Sequence, residues 1–75
     1  MLQLIVLPQP EKIVSGKRVE SKIRHITKKK VMIKFHPNTL IFLLGLVEYY
    51  QSRGYLTSKQ YYYLDKYYTI ARENF

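Results

Sequence analysis

The segment GYLTSKQ, residues 54–60, most constrains the fold of this 75-residue chain, because it indicates the end of one helix and the start of the next. Gly54 stands where helices commonly end on a residue with positive φ. Thr57 and Gln60 have the spacing of a capping box, in which each side chain bonds the backbone N–H of the other residue. Leu56 and Tyr61 fit the hydrophobic staple that accompanies such a cap. Two residues separate Gly54 from the cap, so a tight helical hairpin is predicted.

The first helix of this hairpin is predicted within HPNTLIFLLGLVEYYQSRG. Asn38 is its candidate N-cap, and His36 is predicted to help to cap it. Apolar side chains then recur at helical spacing: Leu40, Leu43, Leu44, Val47 and Tyr50. Because the segment is apolar on nearly all sides, we predict that it is the central buried element, and that Gly45 marks a close helix contact.

The second helix is predicted from Ser58 to about Arg72 and contains five of the eight tyrosines. Its predicted buried stripe comprises Tyr61, Leu64, Tyr68, Ala71 and Phe75. Tyr63, Tyr67 and Ile70 form a neighbouring stripe, and Tyr62 is predicted to be exposed. Most of these tyrosines are therefore interpreted as packing residues, which suits a short chain with a thin core.

Residues 1–36 are predicted to be rich in strands. One strand is expected through Leu2, Leu4 and Val6, and another in KVMIKF, where Val31, Ile33 and Phe35 alternate with other residues. The intervening segment VESKIRHI fits two periods. A strand would place Val19, Ser21, Ile23 and His25 on one face, whereas a helix would align Val19, Ile23 and Ile26. The strand is favoured, paired with KVMIKF through the turn TKKK.

These patterns predict an α+β fold in which a small N-terminal antiparallel sheet of two or three strands packs on a C-terminal two-helix hairpin. The chain is expected to be a single domain, residues 1–75, with a basic strand-rich half at 1–36 and the hairpin at 37–75. It contains no cysteine, so neither a disulfide nor a thiolate metal site is expected.

Positive charge is concentrated in the first half. The chain has 13 Lys and Arg against 5 Asp and Glu, for a net charge of +8, of which residues 1–36 contribute +7 from nine basic and two acidic side chains. Such a balance favours a polyanionic partner, here nucleic acid or a nucleoprotein, with neither DNA nor RNA preferred. The candidate binding residues are Lys17, Arg18, Lys22, Arg24, Lys28, Lys29, Lys30 and Lys34. A solvated face or protection of a strand edge would explain the same lysines.

The hairpin sequence VEYYQSRGYLTSKQYYYLDKY resembles the apolar helix, G-x-L-S/T-x-K-Q turn and second helix of small accessory proteins encoded by bacteriophages, several of them linked with DNA metabolism. The resemblance covers residues 38–68. It implies a phage or mobile-element origin and transfers no catalytic residue to this chain.

A protein partner is the alternative hypothesis. A small basic phage protein could inhibit a host machine by docking on it, as an anti-CRISPR or a polymerase inhibitor does. Tyrosine and arginine are favoured at such interfaces. The candidate interface residues are Arg53, Tyr55, Tyr62, Lys66 and Arg72.

No enzymatic activity, cofactor or metal is predicted. Glu20 and Lys22 form half of a nuclease-like E-x-K pattern, but its second carboxylate could only be Glu11, across a predicted turn. His25 and His36 lack the spacing that would preorganise a metal site with Asp65 or Glu48. No targeting segment is apparent, and the run LIFLLGLV is too short to span a bilayer. A cytoplasmic location without membrane contact is expected, in the host cytosol if the protein is phage-encoded.

Overall fold

The computed structural model describes residues 12–75. This part of the chain is mostly helical, with a small two-stranded antiparallel sheet and a long C-terminal helix. The elements are β1 (Ile13–Val14), α1 (Lys17–Ile26), α2 (Lys29–Met32), α3 (Pro37–Arg53), β2 (Leu56–Thr57) and α4 (Ser58–Asn74). The predicted strand through Leu2, Leu4 and Val6 lies outside the described residues.

The strand predicted in VESKIRHI is wrong, because this segment forms helix α1. Val19 and Ile26 are fully buried and Ile23 packs against the core, whereas Ser21 is exposed. This is the helical alternative of the two periods, with one apolar stripe facing inward. Gly16 precedes the helix with a φ of 89°, a conformation that glycine adopts readily.

The strand predicted in KVMIKF is also wrong. After α1, the chain turns through Thr27 and forms the single helical turn α2. Val31 and Phe35 are buried, but Ile33 between them is 74% exposed. The buried residues are therefore spaced by four, as in a helical turn, and not by two as in a strand.

The small sheet joins the start of the described chain to the connection between the two long helices. β1 pairs antiparallel with β2, with Ile13 opposite Thr57 and Val14 opposite Leu56. Ser58 N–H donates to the carbonyl of Lys12 at 2.7 Å and extends this pairing into the first turn of α4. A small antiparallel sheet is thus present, but it is not the predicted N-terminal sheet, because its second strand lies between α3 and α4 and not in residues 19–35.

The predicted junction between the two long helices is confirmed. Gly54 ends α3 with a φ of 82°, and its N–H donates to the carbonyl of Tyr50. Thr57 Oγ1 accepts from Gln60 N–H at 3.2 Å, while Gln60 Oε1 accepts from Thr57 N–H at 2.9 Å. Both halves of the capping box are present, and they fix the start of α4 at Ser58.

The start of α3 agrees with one of the two capping predictions. His36 is the N-cap, and its Nδ1 accepts from the N–H of Asn38 at 3.1 Å. Asn38 is therefore a residue of the helix rather than its cap. Pro37 occupies the first position of the helix, where its missing N–H costs nothing.

The core lies where α1, α3 and α4 meet around β2. Its largest fully buried side chains are Ile26, Leu43, Leu56, Leu64 and Val19. On the predicted stripe of α4, Leu64 and Ala71 are buried, Tyr61 and Tyr68 are half-buried and Phe75 is partly exposed. Tyr62 is exposed, as predicted.

Helix α3 is less buried than the sequence predicts. Ile41 is 69% exposed and Leu44 is also exposed. Phe42 packs edge-on against Tyr63 and Tyr67 of α4, with ring centroids 5.7 and 6.4 Å apart. A Cβ added at Gly45 would meet nothing within 4 Å, so the predicted close contact at this glycine is wrong.

Candidate phosphate-binding surface

Two basic side chains of α1 pack against tyrosines of α4. The Arg18 guanidinium lies 5.0 Å from the centre of the Tyr61 ring, and the Lys22 ammonium lies 5.2 Å from the rings of both Tyr61 and Tyr68. Arg18 and Lys22 are one helical turn apart, as are Tyr61, Asp65 and Tyr68 on α4, so the two stripes match. These five residues are called the cation–tyrosine interface.

Lys22 is the centre of this interface. Its Nζ donates to the Tyr61 hydroxyl at 2.8 Å and lies 3.7 Å from an Asp65 carboxylate oxygen. The Lys22 side chain is only 17% exposed, whereas that of Asp65 is 51% exposed. The hydrogen bond to the half-buried phenol is therefore expected to contribute more than the ion pair, which solvent screens.

The same contacts shift the pKa of both partners. The hydrogen bond to Tyr61 raises the pKa of Lys22, although burial opposes this effect. Burial alone would raise the pKa of Tyr61, but the hydrogen bond from Lys22 and the positive charges of Lys22 and Arg18 outweigh it and lower the pKa. Both directions favour the charged lysine, so Lys22 remains a cation within the interface.

A second group of basic residues projects from the corner that follows α1. Thr27 Oγ1 donates to the carbonyl of Ile23 at 2.7 Å and ends the helix, after which the chain turns into α2. Val31 and Phe35 anchor this segment in the core. The exposed side chains of this segment include Lys28, Lys29, Lys30 and Lys34, which together are called the lysine corner.

Among residues 12–75 the lysine corner has no acidic side chain at ion-pair distance. Within residues 12–75 the single ion pair joins Lys22 and Asp65, so no carboxylate of this part of the chain pairs with the corner. Glu20 on α1 accepts instead from the Tyr50 hydroxyl at 2.9 Å. Four cations within seven residues create a strongly positive surface, which suits the closely spaced charges of a phosphate backbone.

The eight candidate nucleic-acid-binding residues are therefore divided among three places. Arg18 and Lys22 belong to the cation–tyrosine interface, and four lysines form the lysine corner. Lys17 and Arg24 lie on the outer side of α1, where Glu20 and Ser21 share a shallow groove with them. The structure does not bring all eight to one face.

Each of the five candidate interface residues lies beside an aromatic ring. Arg53 lies 4.9 Å from the ring of Tyr49, which in turn meets Tyr55 edge-on. The remaining contacts of this group join Lys66 to Tyr67, Arg72 to Tyr68 and Tyr62 to Tyr63. These pairs are spread over α3 and α4, so they do not form one compact patch.

The residues considered for catalysis or metal binding make other contacts. Glu20 bonds Tyr50 and Lys22 bonds Tyr61, while His36 caps α3. Among residues 12–75 no group of three His, Asp or Glu side chains is close enough to hold a metal ion. Likewise, no helix in the described range is long and apolar enough to cross a membrane.

The cation–tyrosine interface was not predicted from the sequence, although its signal is present there. Arg18 and Lys22 have the i, i+4 spacing of a helical face, as do Tyr61 and Asp65. This match becomes visible only if VESKIRHI is interpreted as a helix. No protein-family model, curated protein or solved structure matches this chain.

Proposed function

We propose that this chain is a non-enzymatic accessory protein of phage type that binds nucleic acid, alone or within a nucleoprotein complex. In this proposal the lysine corner contacts backbone phosphates. Helices α3 and α4 act as the helical hairpin predicted from the sequence, and α4 holds α1 in place through the cation–tyrosine interface. The resemblance of residues 38–68 to small phage proteins supports the assigned origin.

The observation that carries the proposal is that no acidic side chain of the described residues pairs with the lysine corner. Lysines that serve only to solubilise a surface are commonly interspersed with carboxylates. Here Lys28, Lys29, Lys30 and Lys34 have none within contact distance among the described residues. Contact with phosphates releases condensed counterions, and this release supplies the free energy of non-specific binding.

A second candidate function rests on exposed apolar side chains. Ile33, Ile41 and Leu44 are exposed apolar side chains, and such residues favour contact with another protein. This observation supports the alternative that the chain inhibits a host machine by docking on it. Its binding would then depend on apolar contacts and would change little with salt.

Fluorescence anisotropy with labelled single- and double-stranded DNA and RNA, measured from about 50 to 200 mM salt, tests the proposal. The variant Lys28→Ala/Lys29→Ala/Lys30→Ala should weaken binding to every sequence. It should also flatten the slope of log K against log salt by roughly 2–3, since each lost phosphate contact removes nearly one unit.

The matched control is Lys12→Ala/Lys59→Ala/Lys66→Ala, which removes the same charge from exposed positions outside the lysine corner. If net charge alone drives binding, the two triple variants will lose affinity equally, and the assignment to the lysine corner fails. No binding at the lowest salt to any of the four nucleic acids would refute the proposed function itself. In that case Ile41→Ser/Leu44→Ser in a host-lysate pull-down tests the docking alternative.

A further inference from the structure

A cavity beside the lysine corner collects positive charge from three elements. It has a volume of about 340 Å³ and lies between α1, α2 with its following turn, and the end of α4. Its polar side chains are those of His25, Lys30, Lys34 and Arg72, and no Asp or Glu side chain lines it. This cavity is called the His25 pocket. Three converging cations repel one another, and an anion bound among them would relieve that repulsion.

Arg72 is held in position within this lining. Its Nη1 donates to the Tyr68 hydroxyl at 2.6 Å, and the guanidinium lies 5.6 Å from the centre of the Tyr68 ring. This bond uses one of the five guanidinium N–H groups and restrains the plane of the others. A restrained guanidinium suits two-pronged recognition of a phosphate better than a freely moving lysine does.

His25 supplies a second observation that indicates an anionic ligand. Its ring meets Tyr68 edge-on at 5.3 Å, and its Nε2 is buried without a hydrogen-bond partner among the described residues. Burial, followed by the positive charges of Lys28, Arg72 and Lys30, lowers the pKa of His25. A buried ring nitrogen without a partner is unfavourable. A nearby anion would oppose the part of the pKa shift that comes from the positive charges.

The rest of the lining distinguishes the pocket from a site for a bare ion. Val31 and Phe75 provide apolar walls beside the cations. The volume exceeds that of one phosphate group and lies at the lower end of the range for organic ligands. A phosphate joined to a nucleoside would therefore fill both the cationic and the apolar part of the pocket, with its base or ribose against Phe75.

We propose that the His25 pocket binds the terminal phosphate monoester of a nucleic-acid strand. A terminal monoester carries a charge of about −1.5 to −2 near pH 7, compared with −1 for each internal phosphodiester, so it matches three cations better. The inference rests on the proposed function, because the lysine corner would hold the adjoining backbone. It assigns the protein to strand ends as well as to strand backbones.

Fluorescence anisotropy with two pairs of oligonucleotides tests this inference. The members of the first pair share one sequence and carry either a 5′-phosphate or a 5′-hydroxyl. The members of the second pair differ in the same way at the 3′ end. We expect the phosphorylated member of one pair to bind about tenfold more tightly. Arg72→Gln should reduce this ratio towards one, while affinity for the hydroxyl form changes little. Lys34→Gln should also reduce the ratio, but because Lys34 belongs to the lysine corner it should weaken binding of the hydroxyl form as well. Arg53→Gln, a matched change near the end of α3, should preserve the ratio.

A second readout does not depend on strand binding. The ring C–H signals of His25 are followed by NMR against pH, without ligand, with adenosine and with adenosine 5′-monophosphate. The monophosphate should raise the pKa of His25 by about one unit, because it places negative charge near Lys30, Arg72 and the ring. Adenosine should leave the pKa unchanged.

The outcomes separate the two proposals. Equal binding of phosphorylated and hydroxyl strands, with no change in the His25 signals, would overturn the pocket assignment. It would not affect the proposal that the lysine corner contacts backbone phosphates. A His25 response to the monophosphate without binding of any strand would show a phosphate site in the pocket, but it would refute both the proposed function and the assignment of a strand end as the ligand. Far-UV circular dichroism of Arg72→Gln establishes that the helices remain, and Lys34→Gln provides the same test at an exposed position.

Discussion

Replacing Lys22 with Met should destabilise the fold, although Lys22 is one of the basic residues that the sequence assigns to nucleic-acid binding. Methionine retains an apolar stem of similar length and removes only the ammonium group. The ammonium donates to Tyr61 at 2.8 Å, lies 3.7 Å from Asp65 and contacts two tyrosine rings. All these contacts join α1 to α4, so their loss should weaken the packing of the two helices.

The magnitude follows from the burial of each partner. A hydrogen bond from a charged donor contributes about 1.5–3 kcal/mol, and the cation–ring contacts about 0.5–1 kcal/mol. The ion pair adds at most about 1 kcal/mol, because Asp65 is half exposed. One ammonium makes all of these contacts and is itself partly desolvated, so the contributions overlap. We expect a loss of about 1.5–3 kcal/mol, which lowers the melting temperature by roughly 6 °C or more in a domain of this size.

Urea and thermal unfolding followed by circular dichroism measure this loss. Lys29→Met is the matched control, because Lys29 is an exposed lysine of α2 whose loss should change stability by less than about 0.5 kcal/mol. A double-mutant cycle with Tyr61→Phe should give a coupling energy of about 1 kcal/mol, since it removes the shared hydrogen bond. If Lys22→Met is as stable as Lys29→Met, the structural role assigned to Lys22 is refuted.

Three further predictions concern stability. Thr57→Ala should lower the free energy of unfolding in urea by about 1 kcal/mol, because it removes half of the capping box. Ser58→Ala is the control and should change stability little. Equal effects of the two substitutions would contradict the capping assignment. Gly45→Ala should stabilise the fold by about 0.5–1 kcal/mol, since the added methyl meets nothing within 4 Å. Gly54→Ala should destabilise the fold by about 1 kcal/mol, because φ is positive at this residue. The same sign of change for both variants would refute this reasoning. Burial and neighbouring positive charges lower the pKa of His25 below its usual 6.5, so the unfolded chain takes up a proton that the folded chain resists, and stability should fall as pH drops through 6.5. His25→Gln should flatten this part of the stability profile, and an unchanged profile would contradict the assignment.

The junction between α3 and α4 could be predicted because its causes are local. Gly54 is needed for a positive φ, and the capping box at Thr57 and Gln60 involves residues three apart. Such features depend little on the rest of the fold. The exposure of Tyr62 was likewise predictable, because it follows from helical geometry once the start of α4 is fixed.

The first half could not be predicted in the same way, because its segments fit two periods. In VESKIRHI, Val19 and Ile23 belong to both the strand face and the helical stripe. Only the contacts with α4 decide between them, since a helix buries Ile26 and aligns Lys22 with Tyr61. Tertiary contacts of this kind commonly override local propensity.

The His25 pocket lay beyond sequence reasoning for a related reason. Its cations come from α2, the following turn and the end of α4, which are distant along the chain. A strand through Lys30 and Lys34 would have placed these residues on a sheet face, away from Arg72. In the structure Val31 and Phe35 are buried one helical turn apart, and this brings Lys30 and Lys34 beside the end of α4.

A single titration tests the central claim that the lysine corner and its adjoining pocket contact phosphates while Lys22 holds α1 on α4. Backbone amide signals of the ¹⁵N-labelled protein are followed by NMR as a short 5′-phosphorylated oligonucleotide is added. We predict that the shifts concentrate on residues 27–34 and around Arg72, and that the signal of Lys22 changes little. Shifts confined to Ile41 and Leu44 on α3, or no shifts at low salt, would contradict the claim.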